Sequence, residues 1–361
     1  MSTDPLLADV WAKPGQQPVL GHRDWESLLG QARQSRLIGR LASHHVDQGW
    51  LGDVPSGPRP HLEAGLRLAE RQQHEVRWEV HCIARAVRHL NTPMILLKGS
   101  AYLMANLPAA RGRLFSDIDI MVPRESLDIV ESALFAAGWI SEERDAYNQR
   151  YYREWMHEIP PLRHVQRNTF IDLHHTITPP TSRFNVDGNH LLQNAVPLEG
   201  HRGLQVLAPT DMVLHSAVHL FAEGEFGHGL RDLLDMNDLL KHFEARPSFW
   251  PDLLDRAQVL RLEIPLFHAL FHLNRLLGTV PPAHLAQRVA GFGPNPVSKR
   301  FMAWALGLAL RPIYPACNTR WTALARWLLY IRSHALRMPL HLVIPHLVRK
   351  SWMRQFPEKQ K

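Results

Sequence analysis

Cysteine is almost absent, with two thiols, Cys82 and Cys317, in 361 residues. They make neither a metal-ligand pattern nor a disulfide framework, which suits a reducing compartment, the cytoplasm by default. Also missing are a Gly-x-Ser-x-Gly elbow, a Walker A segment and a Cys-x-x-Cys pair, so hydrolase, P-loop and redox readings are disfavoured. Met1 to Gln17 carries Asp4 and Asp9 and no apolar run of signal-peptide length. The longest apolar-looking stretch, Trp327 to Val348, is broken by Arg332, His334, Arg337 and His341. It lacks the ~20 apolar residues of a spanning helix. Acid is the last absence: Ile264 to Pro357 holds no Asp or Glu against twelve Arg and Lys. The overall charge is +7, so the first 263 residues are net negative and the chain is electrically two-faced.

What is present is globular material, 45% hydrophobic and 21% charged. The length exceeds the roughly 250–300 residues at which one core stops growing, so two or three modules are expected. Apolar positions at three- and four-residue spacing over 23–50 and 61–90 predict a helical N-terminal region, residues 1–90, interrupted at Gly52–Pro60. Residues 91–208 mix helical segments with short runs that read as strands: Met94–Leu97, Asp117–Val122, Trp139–Ile140, Phe170–His174 and Leu204–Leu207. That interleaving predicts an α/β (α+β) class. Thr210 is expected to N-cap a helical region over 209–290, which includes a second helix at Leu230–Phe243. Gly291–Pro296 reads as a linker, and residues 297–361 as a basic helical tail.

Chemistry concentrates in two segments, Leu97-Lys98-Gly99-Ser100 and Asp117-Ile118-Asp119-Ile120. In a strand, side chains i and i+2 share a face, so Asp117 and Asp119 project together while the isoleucines enter the core. Paired carboxylates repel unless a cation lies between them. Mg²⁺, or Mn²⁺, fits a small set of carboxylates completed by substrate phosphates. Gly99 and Ser100 fall where a strand gives way to a helix, a place suited to phosphate. Lys98 and Arg113 are candidate triphosphate contacts. Phosphate cradle and acid pair together imply a nucleoside triphosphate.

These residues resemble the DNA polymerase β-type nucleotidyltransferase superfamily: a Gly-Ser turn, an acid-x-acid strand, then a third acid on a later strand. The chain is most similar to its bacterial nucleotidyltransferase-like family. Leu97-Lys98-Gly99, Arg113, Asp117-Ile118-Asp119, His157-Glu158-Ile159-Pro160-Pro161-Leu162 and Ile171-Asp172-Leu173-His174 match in order and spacing. The likeness runs from about Glu70 to Phe243 and leaves out the basic tail. Sixteen residues between Ser100 and Asp117 depart from the commonest spacing. The resemblance implies a mixed sheet flanked by helices and two-metal transfer of a nucleoside monophosphate with release of pyrophosphate. It also names Asp172 as the third metal ligand. Acceptors across the superfamily include nucleic acids, proteins, sugars and antibiotics, so the hydroxyl-bearing acceptor stays open.

Other polar residues read as support. His157 and His174 suit a core beside the site. Asp211, His215 and His219 share a helix face at four-residue spacing, without the further ligands of a zinc site. Arg231 and Asp235 are spaced for an i,i+4 ion pair. In the tail, Trp321, Trp327, Leu328, Tyr330, Leu336, Leu340 and Trp352 interleave with arginines and Lys350. That mixture suits docking on an anionic membrane surface or nucleic acid, or a lid packed on the acidic remainder of the chain. Two rival functions follow: a nucleotide-binding pocket without catalysis, and a binding module acting through the tail.

Overall fold

The computed structural model describes residues 6–13, 15–224 and 226–339. Seven short strands form one sheet: β1 (Met94–Leu96), β2 (Ile118–Met121), β3 (Trp139–Ser141), β4 (Leu162–His164), β5 (Phe170–His174), β6 (Val196–Pro197) and β7 (Leu204–Val206). Their order is β3-β4-β5-β2-β1-β7-β6. Parallel pairs β2–β5 and β1–β7 flank the antiparallel pair β1–β2, so the sheet is mixed, with helices about it. The α/β class and the nucleotidyltransferase-like sheet are therefore as the sequence implied. β1 and β2 are buried along their whole length, as continuous apolar runs in central strands should be. β4 and β6 were not anticipated: β4, Leu-Arg-His, has one apolar residue, and β6 is two residues long.

The amino-terminal helices are His22–Gln34, Ile38–Asp47 and Arg59–Val87, the last 29 residues long. In the second half the Pro209–Glu223 helix is buried along most of its length. It packs against the helices Gly229–Phe243, Phe249–Val259, Glu263–Leu277 and Arg320–Arg337, and also against Lys98–Met104. Its N-cap is Ala208, not Thr210, and no side chain caps it. Pro209 fixes φ and has no N–H to satisfy, so it occupies the first helical position and starts the turn earlier.

In the described part of the basic tail, Arg326, Arg332 and Arg337 bond inward, while Arg300 and Arg320 are exposed. Arg332 Nη1 donates to the Phe221 carbonyl (2.8 Å) and Arg337 Nη2 to the Glu223 carbonyl (2.5 Å). These are carbonyls of the final turn of the Pro209–Glu223 helix, where backbone acceptors lack intrahelical partners and cations are favoured. Arg326 bonds Asn318 Oδ1 and the Arg311 carbonyl. Trp321, Trp327 and Tyr330 remain exposed. Leu340, Arg349, Lys350, Trp352 and Arg354 lie outside the described residues. Among the described residues, no helix is long and apolar enough to cross a membrane.

One backbone crossing sets the entry to the sheet. Gly39, on the Ile38–Asp47 helix, lies against the Gly112 carbonyl and the Arg59–Val87 helix, and a Cβ on it would sit 2.6 Å from Gly112 O and 2.9 Å from Ala69 Cβ. Gly112 itself adopts φ +64° and immediately precedes Arg113 and the loop into β2. Alanine in place of a helical glycine ordinarily stabilises by about 1 kcal/mol. Here overpacking reverses the sign: Gly39→Ala is expected to lower the urea-unfolding free energy by about 1–3 kcal/mol. A variant as stable as the parent would show that the three segments are not in backbone contact.

Candidate active site

β2 and β5 pair in parallel with Asp119 opposite Asp172. Neighbouring strands lie about 4.8 Å apart and paired residues share a face, so two acids meet side by side. Asp117 precedes β2 by one residue, half-buried at the mouth of a cleft, and its carboxylate accepts from the Ser116 hydroxyl (2.9 Å). Its charge is also felt by His174. The cleft has a volume of about 250 Å³ and is lined on the β2–β5 side by Ser116, Asp117, Thr169 and Phe170. A larger cavity, about 1230 Å³, opens at the opposite end of β1 near Arg88, Met94 and Arg202, and no acid lines it.

Lys98 Nζ bonds Asp119 Oδ1 at 2.9 Å. Lys98 opens its helix with φ +45°, a left-handed conformation that strains a side-chain-bearing residue by about 1 kcal/mol. That turn carries the side chain back over the end of β1 to the aspartate. Burial would push the ammonium down, but Asp119 and Glu223 outweigh it and raise the Lys98 pKa. For Asp119, burial would push upward, yet Lys98 and the hydrogen bond from His174 hold the carboxyl well below its ordinary range.

The strand partner on the far side of β5 supplies the residues that sequence reasoning missed. Glu158 pairs with His174 across the edge of β5, and backbone bonds His175 N–His157 O (2.9 Å) and Ile159 N–Leu173 O (3.0 Å) fix the register. Pro160 and Pro161, which have no N–H to give, interrupt this pairing before β4 resumes it at Leu162 opposite Ile171. Glu158 therefore joins the face that carries Asp172 and His174. His174 is fully buried, with Nε2 3.2 Å from Asp119 Oδ1 and 3.4 Å from Glu158 Oε2. Burial and the neighbouring Asp172 charge push the Glu158 carboxyl well above its usual range. His157 Nε2 lies 3.6 Å from Glu223 Oε1, and His219 Nε2 lies 3.4 Å from Glu223 Oε2.

Helix spacing explains the last wall. His215, His219 and Glu223 recur every four residues on the Pro209–Glu223 helix, and their face closes over Lys98. The spacing that drew attention to His215 and His219 reaches Glu223 one turn later. Asp211, a turn earlier, is taken instead by Arg256, which donates to it twice (2.7 and 2.9 Å). These histidines form a polar helix face beside Lys98 and Asp119. Burial, followed by the Lys98 charge, pushes both His215 and His219 well down, so they stay neutral.

Arg113 and Gly99 form a second layer. A Cβ on Gly99 would collide with the Arg113 guanidinium, so only glycine lets that guanidinium lie on the turn. Arg113 Nε donates to Asp235 Oδ2 (3.0 Å), and Arg40 Nη1 donates to Asp235 Oδ1 (2.6 Å), all three being buried. Arg40, which no local signal marked, also bonds Asp238 and the Ala109 carbonyl. The expected Arg231–Asp235 pair is replaced: Arg231 bonds its neighbour Asp232 at 2.8 Å, because Asp235 faces inward to two other cations. Ser100 is buried and its hydroxyl lies 2.9 Å from the Leu97 carbonyl and 3.3 Å from that of Asp119, tying β1 to β2.

Asp117, Asp119 and Asp172, with Glu158 beside them, are an oxygen-rich set on which one ammonium, Lys98, acts. Burial first, and the Asp172 charge second, hold the Glu158 carboxyl high, and this set of oxygen donors fits a hard divalent cation. A family model described as "Uncharacterised nucleotidyltransferase" matches residues 21–278. No curated protein and no solved structure matches the chain.

Two expectations follow from this arrangement. Asp235→Asn strips the charge that two buried guanidinium groups share, and unfolding free energy should fall by about 3–5 kcal/mol in urea titration; a change under about 1 kcal/mol would mean that Asp238 alone suffices. The second concerns acid. Burial lowers His175 and His268 to about 4 and His272 to about 3. Unfolded histidines titrate near 6.5, so below that pH the unfolded chain binds more protons. Stability is therefore full above about pH 6.5 and declines toward pH 4, by up to about 1.4 kcal/mol per pH unit for each such histidine. Among the described residues His272 has no hydrogen-bond partner on either ring nitrogen. His272→Leu should flatten the decline, measured as melting temperature against pH, and an unchanged slope would remove His272 from the account.

Proposed function

Because the chain belongs to the Uncharacterised nucleotidyltransferase family, we propose that it transfers a nucleoside monophosphate from a triphosphate, ATP above the others, to a hydroxyl-bearing acceptor. In this reading the acceptor oxygen bonds the α-phosphorus, the bond from that phosphorus to the β-phosphate bridging oxygen breaks, and pyrophosphate leaves. The hydroxyl proton departs to the Asp172 carboxylate. One observation carries the assignment: parallel pairing sets Asp119 opposite Asp172 on neighbouring central strands.

Asp117, Asp119 and Asp172 would hold Mg²⁺ or Mn²⁺, which when bound neutralises triphosphate charge and lowers the pKa of the attacking hydroxyl. Lys98 exchanges its bond to Asp119 for a phosphate oxygen. Arg113, anchored through Nε by Asp235, lies on Gly99 and offers its remaining N–H groups to a phosphate. His174 orients Asp119 through Nε2, and the His215–His219 face excludes water from the triphosphate. Residues 91–208 make the catalytic unit and 209–290 close it.

Incubation of the protein with each α-labelled nucleoside triphosphate, Mg²⁺ and an acceptor-containing lysate fraction should label one acceptor class. Asp119→Asn should reduce labelling by about a hundredfold or more, the scale of several kcal/mol of lost charge stabilisation, and also weaken nucleotide binding in Mg²⁺ calorimetry. Asp172→Asn should instead slow single-turnover transfer while nucleotide affinity holds. Unchanged labelling in both variants would refute the assignment.

A further inference from the structure

The carboxylates of β2 and β5 offer oxygen alone, but the next strand edge brings nitrogen. His157, Glu158 and His174 each present one ligand atom, and the three atoms lie within 4.8 Å of one another. His174 Nε2 is 3.4 Å and His157 Nε2 3.9 Å from Glu158 Oε2. Donors bound at about 2.1 Å sit roughly 3.4 Å apart around a tetrahedral ion, so small side-chain shifts would close the set. Both rings are buried, and neither Nδ1 has a hydrogen-bond partner, so the polar contacts of each imidazole are gathered on the Nε2 edge that faces the carboxylates. Asp119 Oδ1, 3.2 Å from His174 Nε2, and Glu223 Oε1, 3.6 Å from His157 Nε2, flank the cluster as further oxygen donors.

Rigidity argues in the same direction. The His157–Glu158 segment is held to β5 by two backbone hydrogen bonds, and β5 by β2, so the ligand-bearing backbone is fixed before any ion arrives. Charge also favours a cation: the single Lys98 ammonium is set against the carboxylates of Asp119, Glu223 and Glu158 among the described residues. Imidazole nitrogen suits zinc, manganese, cobalt and their neighbours, whereas Mg²⁺ prefers oxygen and retains its water. We propose that His157, Glu158 and His174 form a binding site for a first-row transition-metal dication, beside the oxygen-ligated position assigned to Mg²⁺. This site does not depend on the nucleotidyl-transfer reading.

Co²⁺ is the probe, added to the full chain without nucleotide and with Mg²⁺ in large excess. One equivalent should bind and give the visible absorption of a nitrogen-ligated ion, undiminished by Mg²⁺. His157→Ala and Glu158→Gln should each weaken Co²⁺ binding about tenfold or more. Glu158→Gln keeps the side-chain volume, so it decides the matter if His157→Ala fails to fold by circular dichroism. Co²⁺ binding that Mg²⁺ displaces, or that persists unaltered in the folded variants, would overturn the site. Since nucleotide is absent, failure here leaves the transfer reading standing, and a protein inactive in transfer that binds Co²⁺ leaves the site standing.

Discussion

Asp119, buried, and Asp172, half-buried, cannot both be charged and adjacent unless positive charge is supplied close by. Much of the surrounding structure answers that constraint. Lys98 takes a left-handed conformation to reach Asp119, and His174 turns its only bonded nitrogen toward the same oxygen. Glu158 meets the problem differently, with its carboxyl favoured in the neutral form by burial beside Asp172. The Pro209–Glu223 helix then brings His215, His219 and Glu223 over the ammonium.

The acid pair was legible because strand alternation is local: Asp117-Ile118-Asp119 sorts acid from apolar within three residues. The resemblance supplied Asp172, and the register later put it opposite Asp119. The strands themselves were visible where apolar residues cluster or alternate, and invisible at β4, Leu-Arg-His with one apolar residue, and at β6, two residues long. Glu158 escaped because its place depends on pairing with His174 across a proline interruption, a relation no window on the chain displays. Arg231 and Asp235 show the opposite error. Helical spacing permits their pair, but tertiary burial gives Asp235 to Arg40 and Arg113.

The second layer is built from the same economy of charge. Arg113 is held by Asp235, and Gly99 is the surface on which its guanidinium rests. Arg40 and Arg113 thereby join the Ile38–Asp47 helix, the loop before β2 and the Gly229–Phe243 helix through one carboxylate. A buried ion network of this kind is weak evidence for net stability, since well-packed apolar groups often serve as well. Its effect is to specify geometry: the loop that delivers Asp117 cannot drift without uncoupling both arginines.

Arg40 and Asp235 are separated by 195 residues of chain. On the ribosome, synthesis at about 5–20 residues per second leaves the Arg40 guanidinium without this carboxylate for roughly ten seconds or longer. The Ile38–Asp47 helix can form in that interval, yet burying its arginine then would strand a charge in an apolar interior. The last carbonyls of the Pro209–Glu223 helix meet their partners later in synthesis, when Arg332 and Arg337 emerge. Completion of the cleft is thus deferred until nearly the whole chain has emerged, and a nascent fragment ending before the Arg320–Arg337 helix presents an unfinished surface to chaperones.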